Sequence, residues 1–425
     1  FEASQDASRT LTINKATFCD ALKLTDVILP KETKMESSST VLQVGYGTNV
    51  TRTFNIFYPA GIDSGVITAI NNAYTNTTDY PITLHPYQAP AEILSIVDGG
   101  TLYNNSTDNS QTVWYIDSNG TLVLDGVGKT ANGTAATPLP YADYKDSIKK
   151  VIAMNGITHI QSKAFEEYDK IEELALSDNA EFKLGWMTFN GCIGLKSVTI
   201  PKNTSFVGAN TFQDCTGLET VIFEDGLSSI GDPSYNGTFR GCTGIKEIVI
   251  PTSVEAIADN SFYGCSGLNK LTFADPENSK CKIIGQNAFY LCNGVEGNIV
   301  FPKALEKMGS LAFVISGSAA EDVKLSLKSV EFLGDFPVLV DGSSAENGRF
   351  PEDTTRTFSD VFRSRLLLGV RYAQDNATWA AKLDELKGYT NYILSTDGLF
   401  LKATLGENGA AGLYYYNKTG SPQSL

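Results

Sequence analysis

Seven cysteines, two histidines and several adjacent carboxylates are the side chains with most chemical reach in this 425-residue sequence. The cysteines are Cys19, Cys192, Cys215, Cys242, Cys265, Cys281 and Cys292, and no two form the C-x-x-C pair of a zinc ribbon or a dithiol redox centre. His85 and His159 lie outside any H-E-x-x-H pattern and read as ordinary turn or core-edge imidazoles. The string DGVGKT at 125–130 offers the G-K-T of a phosphate loop after strand-like Leu122 to Leu124. That loop needs a glycine where Val123 stands and a helix where ANGTAATPLP follows. Glu166 with Glu167 and Glu172 with Glu173 are neighbours in sequence, so their side chains diverge into solvent instead of flanking a glycosidic bond. The sequons at Asn119, Asn236 and Asn376 matter only in a eukaryotic secretory pathway. These patterns predict no catalytic centre, no cofactor and no metal.

Composition narrows the partners. With 33 Lys+Arg against 48 Asp+Glu the chain carries a formal charge of −15, which argues against nucleic acid and anionic membrane. Apolar residues make up 42% and charged residues only 19%, as in a folded, strand-rich protein. The longest apolar blocks, such as Leu366 to Val370, fall far short of the roughly 18 residues of a membrane span. Nothing after Phe1 resembles a signal peptide, and a trimmed secreted chain would look the same.

The cysteines carry a different message, which lies in their spacing. From Cys192 to Cys292, leaving Cys281 aside, the steps are 23, 27, 23 and 27 residues, a period that points to stacked structural repeats. Each of these cysteines follows a phenylalanine by three positions: Phe189, Phe212, Phe239, Phe262 and Phe289. Phe165 and Phe313 extend the series, with Tyr168 and Ser316 in the cysteine place. The residue before each Phe is small, from Ala164 and Thr188 through Ser261 to Ala312, so something packs tightly there. Three residues after each cysteine an L-x-x-V-x-I triplet begins, as in Leu195, Val198, Ile200 and in Ile245, Ile248, Ile250. The same triplet reads Ile148, Val151, Ala153 and Ile171, Leu174, Leu176 earlier, and Leu327, Val330, Phe332 later. Its alternation marks a short strand with one buried face, ended by Pro201, Pro251 and, after a one-residue slip, Pro302. A further apolar residue five before the Phe recurs at Ile160, Val207, Ile257, Ile284 and Met308. The extra residues of the longer units fall at different points, within Asp232 to Gly237 and within ADPENSKCK, as surface loops of stacked coils should.

One coil of this size cannot bury its own apolar face, so each strand must pair with those of neighbouring coils in a parallel sheet with strands ~4.8 Å apart. The cysteines then form a column of small buried hydrophobes, all seven reduced, because same-direction side chains in adjacent coils have poor disulfide geometry.

These residues resemble the BspA-like leucine-rich repeat proteins, a family of bacterial and protozoan surface proteins. TFRGCTGIKEIVIPTSVEAIADNSFYGCSGL, Thr238 to Leu268, is similar to its repeat at nearly every apolar position. The resemblance implies an α/β solenoid: a right-handed leucine-rich repeat coil with one parallel β-sheet and short helical or 3-10 turns, flanked by β-hairpin and strand-helix-strand caps. Residues 148–340 would be the repeats. Residues 91–147 would be the N-terminal cap, a hairpin turning at Ser118, Asn119 and Gly120. Residues 341–395 would hold an insertion, 341–356, and a closing cap with a helix through Trp379, Leu383 and Leu386 that stops at Gly388. Residues 1–90 repeat the frame at Ile13, Phe18, Leu24, Val27 and Leu29 and read as the last coil and cap of a preceding repeat domain. Residues 396–425 read as a β-rich tail of two or three strands without an assigned role.

A solenoid of this kind offers surface. The outward strand positions form one column of Ser197, Thr220, Glu247, Lys270 and Ser329 and another of Thr199, Ile222, Val249, Thr272 and Glu331. The second is apolar for an exposed row, which fits either β-propensity or a partner footprint. The candidate ligand-binding face is therefore Ser197, Thr199, Thr220, Ile222, Glu247, Val249, Lys270 and Thr272. The family resemblance implies a monomeric, non-enzymatic, cell-surface or secreted protein that adheres to a host or microbial protein or glycan. Two other readings stand beside it: a structural spacer presenting another module, and a carbohydrate-active enzyme with a cleft at 341–356.

Overall fold

The computed structural model describes residues 96–102, 110–133, 138–231, 237–313 and 327–340. It also describes residues 66 and 68 and the strands at 12–13, 26–28, 34–35, 54–59, 82–87, 369–372, 392–395, 400–405, 411–416 and 422–424. Cys19, the 341–356 insertion and the expected helix through Trp379 lie outside the described residues. The chain divides into two units, Phe1–His159 and Ile160–Leu425.

In the first unit, Asp26–Ile28, Phe54–Pro59 and Ile82–Tyr87 form a parallel sheet, and Thr12–Ile13 pairs in parallel with Lys34–Met35. Ile96–Thr101, Gln111–Asp117 and Thr121–Lys129 then run antiparallel. The hairpin turns where the sequence places it. Asp117 Oδ1 accepts the N–H groups of Asn119 at 2.9 Å and Thr121 at 2.8 Å, and Gly120 sits at φ +84°. The phosphate-like string is strand through Lys129, and a Cβ on Gly126 would stand 2.1 Å from the Gln111 carbonyl oxygen. Its glycine serves strand pairing, not an anion. The far edge of this hairpin pairs in parallel with Lys150–Ala153, Leu122 opposite Val151 and Leu124 opposite Ala153.

The second unit holds the stacked coils. Glu173–Ala175, Ser197–Ile200, Thr220–Phe223, Glu247–Ile250 and Lys270–Phe273 make the expected parallel sheet, with Ser197 opposite Thr220, Thr220 opposite Glu247 and Glu247 opposite Lys270. Leu195, Val198, Ile200 and their counterparts in the next three coils are buried, as the triplet requires. The frame is looser at the start, where Ile171 is buried but Leu174 and Leu176 are half-buried. The single sheet read from the sequence has a companion. The apolar residue that precedes the Phe belongs in most coils to a two-residue strand, and these strands make their own parallel ladders. Lys183–Leu184 pairs with Phe206–Val207, and Ser229–Ile230, Ala256–Ile257, Ile283–Ile284 and Lys307–Gly309 follow one another. Two residues are too few for alternation to show, which is why the pattern read as one sheet.

A third ladder joins the turns. The N–H of each Phe donates to the carbonyl of the small residue before the next Phe: Phe189 to Thr211, Phe212 to Thr238, Phe239 to Ser261, each at 2.7 or 2.8 Å. Within each turn the Cys N–H reaches back three residues to the Phe carbonyl, as Cys242 does to Phe239 at 3.2 Å, so the turns have 3-10 character without becoming helices. What breaks the helix is a pair of left-handed residues two before and two after the Phe. Asn210, Asn260 and Asn287 occupy the first place, Gly191, Gly241 and Gly264 the second.

Inside, the seven phenylalanine rings stack face to face with centroids 5.0 to 5.6 Å apart from Phe165 to Phe313. The small residue beside each ring is explained by its hydroxyl or its lack of bulk. Thr211 Oγ1 donates to Gly208 O at 2.7 Å and to Gly185 O of the preceding coil at 3.1 Å. The cysteines are more than small hydrophobes. Each thiol that follows a repeat Phe donates to the carbonyl of the Phe one coil back: Cys192 to Phe165 at 3.2 Å, Cys215 to Phe189 at 3.1 Å, Cys242 to Phe212 at 2.9 Å, Cys265 to Phe239 and Cys292 to Phe262 at 3.2 Å. Six described cysteines are free and buried. Burial pushes the thiols of Cys265 and Cys281 up to about 12 and those of Cys242 and Cys292 well above the usual range, so they stay protonated as donors.

Three stability predictions follow from this packing. Cys242→Ala removes a buried donor and should cost about 1–2 kcal/mol, whereas Cys242→Ser keeps a donor and should cost less. A column of cysteines acting only as hydrophobes would give the opposite order in urea melts. Glu167, exposed at φ 59° where the next coil has Gly191, pairs only through its backbone with Asn190 in the turn ladder. Glu167→Gly should therefore stabilise the fold by about 1 kcal/mol, read as a higher urea midpoint.

The third concerns Asp259, which is buried and accepts the Gln286 N–H of the next coil at 2.7 Å. Burial raises its pKa from 3.8 to about 6, opposed by that hydrogen bond. The folded state thus holds this proton more tightly than the unfolded chain, so its contribution is full below pH 3.8 and is lost as pH rises through 6. Asp259→Asn keeps the acceptor without the charge. It should raise the melting temperature at pH 7 and leave it little changed at pH 4, measured against the parent at both pH values.

Candidate functional site

The outward positions of the repeat strands are set by the same alternation that buries Val198, Val221, Ile248 and Leu271. Ser197, Thr220, Glu247 and Lys270 are exposed and lie side by side on consecutive strands. Two residues along, Thr199 pairs with Ile222 and Val249 with Thr272. All eight residues singled out in the sequence thus share one face of one sheet. Ile222 is 52% exposed and Val249 44%, and they sit on neighbouring strands. Thr199 and Thr272 flank them, half-buried. Beside this apolar pair the Lys270 ammonium meets the Glu247 carboxylate across adjacent strands. Both partners are exposed, so the pair orders the surface more than it stabilises the fold.

The last members of both columns belong elsewhere. Ser329 pairs with Asn298 and Glu331 with Val300, in the sheet formed by Gly297–Phe301 and Leu327–Phe332. Gly297, at φ +78°, takes up the one-residue slip before Pro302 as a bulge in that pairing. Asn298 and Val300 therefore continue the outward pattern, and the displaced proline was the sign of it.

A second row escaped the sequence reading because it lies on the turns. The residue after each Phe is Glu166, Asn190, Gln213, Arg240, Tyr263 and Tyr290. The Asn190 amide donates to Glu166 at 3.3 Å, the Arg240 guanidinium lies 4.7 Å from the Tyr263 ring centre, and the Tyr263 and Tyr290 rings are 5.0 Å apart. The repeat Phe itself was the signal that could have found this row.

The acid/base candidates disperse. Glu166 is tied to Lys163 at 3.1 Å, while Glu172 and Glu173 stand exposed on the strand edge. Among the described residues no group of three His, Cys, Asp or Glu could hold a metal ion, and no helix is long and apolar enough to cross a membrane. His159 lies in the strand Ile157–Ile160, opposite Lys129, and the side chain of His85 is outside the described residues.

A family model described as "BspA type Leucine rich repeat region" matches residues 140–238 and 235–335, in six copies. No curated protein matches the chain. Among solved structures, a leucine-rich repeat protein from Bacteroides ovatus is 19% identical with a TM-score of 0.39, covering 65% of this chain and 70% of its own. A leucine rich cell surface protein from Faecalibacterium prausnitzii is 19% identical with a TM-score of 0.31, covering 55% of this chain and 71% of its own. A leucine-rich repeat protein from Eubacterium ventriosum is 16% identical with a TM-score of 0.27, covering 66% and 80%. The six matched copies lie on the coils whose rings, thiols and strands stack in register, so residues 140–335 are a BspA-type leucine-rich repeat region.

Proposed function

We propose that this protein is an extracellular, cell-surface or secreted, binding protein that works as a monomer and without catalysis. Its repeat sheet, through Thr199, Ile222, Val249 and Thr272 with the Glu247–Lys270 pair beside them, engages a protein or glycan on a host or microbial surface. The observation that carries this reading is the exposed, neighbouring pair of β-branched side chains, Ile222 and Val249, on a sheet whose other face is fully packed. A rigid face of this kind binds without an ordering cost on its own side. What supports a surface location is the likeness of residues 140–335 to BspA-type repeats. In this reading residues 91–147 cap the first coil, residues 341–395 close the array, and residues 1–90 end a preceding domain.

The experiment is a binding screen of the full chain against immobilised matrix proteins and glycans, followed by variants. Ile222→Ser with Val249→Ser should weaken the best hit at least tenfold. Glu247→Lys or Lys270→Glu alone should weaken it as well, because each sets like charges side by side in the face. A spacer that only presents another module would give no specific hit, or one that none of these substitutions alters.

A further inference from the structure

The final three strands extend the sheet of Gly297–Phe301 and Leu327–Phe332 beyond Tyr392–Ser395, and their pairing has a counterpart at the other end of the chain. Eight strands of the first unit run in the order Thr12–Ile13, Asp26–Ile28, Lys34–Met35, Phe54–Pro59, Ile82–Tyr87, Ile96–Thr101, Gln111–Asp117 and Thr121–Lys129. Eight strands of the second run Lys307–Gly309, Leu327–Phe332, Val338–Val340, Gly369–Tyr372, Tyr392–Ser395, Phe400–Leu405, Ala411–Tyr416 and Pro422–Ser424.

Strand by strand the partners agree. The first pairs in parallel with the third in both sets, Ile13 opposite Met35 and Met308 opposite Leu339. The second, fourth and fifth form a parallel sheet in both, through Val27, Ile56 and Leu84 and through Val330, Val370 and Ile393. The sixth, seventh and eighth are antiparallel in both. Here the match extends to single residues: Trp114 faces Leu124, Tyr115 faces Val123 and Ile116 faces Leu122, while Tyr414 faces Ser424, Tyr415 faces Gln423 and Tyr416 faces Pro422. The offset is 300 residues at every one of these hairpin positions and also relates Gly120 to Gly420, whereas the earlier strands are offset by 295 residues at Ile13 and Met308 up to 314 at Ile56 and Val370. One difference is that Tyr392–Ser395 also pairs with Phe400–Leu405.

In the first set the eighth strand has a neighbour on its other side. Lys150–Ala153, the strand of a leucine-rich coil, lies parallel to it, and the Met154 N–H donates to Leu124 O at 2.9 Å. Parallel ladders alternate donor and acceptor along alternate residues, so positions 122 and 124 are the ones that face the coil. Their counterparts are Pro422 and Ser424. Proline has no N–H, which leaves Ser424 as the donor on that side.

We infer that residues 400–424 are the opening sheet of a further repeat module, and that the outer edge of Pro422–Ser424 receives in parallel the first strand of a second leucine-rich coil joined in series. The strand that fits carries the alternation of Lys150–Ala153. Modules joined this way continue one sheet across each junction, at the 300-residue spacing that the hairpin residues show.

The test is the chain lengthened by a second copy of its own residues 125–395 placed directly after Ser424. Hydrogen–deuterium exchange at the Ser424 amide should slow at least tenfold relative to the unextended chain. Ser424→Pro in the lengthened chain should lower the melting temperature of the added copy and leave that of the first copy unchanged. Equal exchange at Ser424 in the two chains, or an added copy whose melting ignores Ser424→Pro, would overturn the inference.

Discussion

The carbonyl of the repeat phenylalanine is the point on which the coils depend. In Phe212 it accepts the Cys215 N–H of its own turn at 3.4 Å and the Cys242 thiol of the next coil at 2.9 Å, while the ring stacks on Phe239 at 5.2 Å. One residue thereby fixes the shape of its turn, the distance to the following coil and the alignment of the core. A buried carbonyl left without these donors would be costly, and no water reaches it. The constraint explains what varies and what does not. Extra residues enter between Ile230 and Gly237 or between Phe273 and Ile284, where the Phe-to-Cys turn is untouched, and never between Phe and Cys.

Most of this was legible because burial imposes type. Phe, Cys, the small residue and the triplet are all near full burial, so their identities recur and their period can be counted. The hairpin was legible for another reason: Asp117 and Gly120 meet turn requirements that few residues satisfy. The second ladder was not, because Ala256–Ile257 and Ile283–Ile284 are strands of two residues, too short for alternation to show. Nor was the role of the thiol. Spacing shows that sulfurs stack, but only coordinates show that the Cys265 Sγ points at the carbonyl of Phe239. The left-handed places were half visible. Asn and Gly mark them in most coils, yet Met187, Leu291 and Leu311 occupy them too, held there by the turn ladder against their own preference.

The candidate face was legible as geometry and not as chemistry. Period-two alternation decides which residues point outward, and the parallel register decides which lie abreast. Neither decides what an outward residue should be. Ser197, Thr220, Glu247 and Lys270 occupy one column with four different side chains because nothing in the core selects among them. The row of Arg240, Tyr263 and Tyr290 shows the same freedom on the turns.

In the binding reading proposed above, that freedom is what makes the architecture a scaffold. Each coil adds one outward residue to each column at a spacing of ~4.8 Å, and the interior that holds it there is indifferent to its identity. Ile222 and Val249 can thus sit exposed beside a charged pair without loss of register, since the stacked rings and thiols beneath them carry the stability. The same separation limits what the fold can do. Along the two columns the side chains run parallel and point the same way, so they do not converge on one point. Recognition of an extended or flat partner suits such a surface. So does growth at the ends, where a strand edge rather than a side chain is the complementary feature.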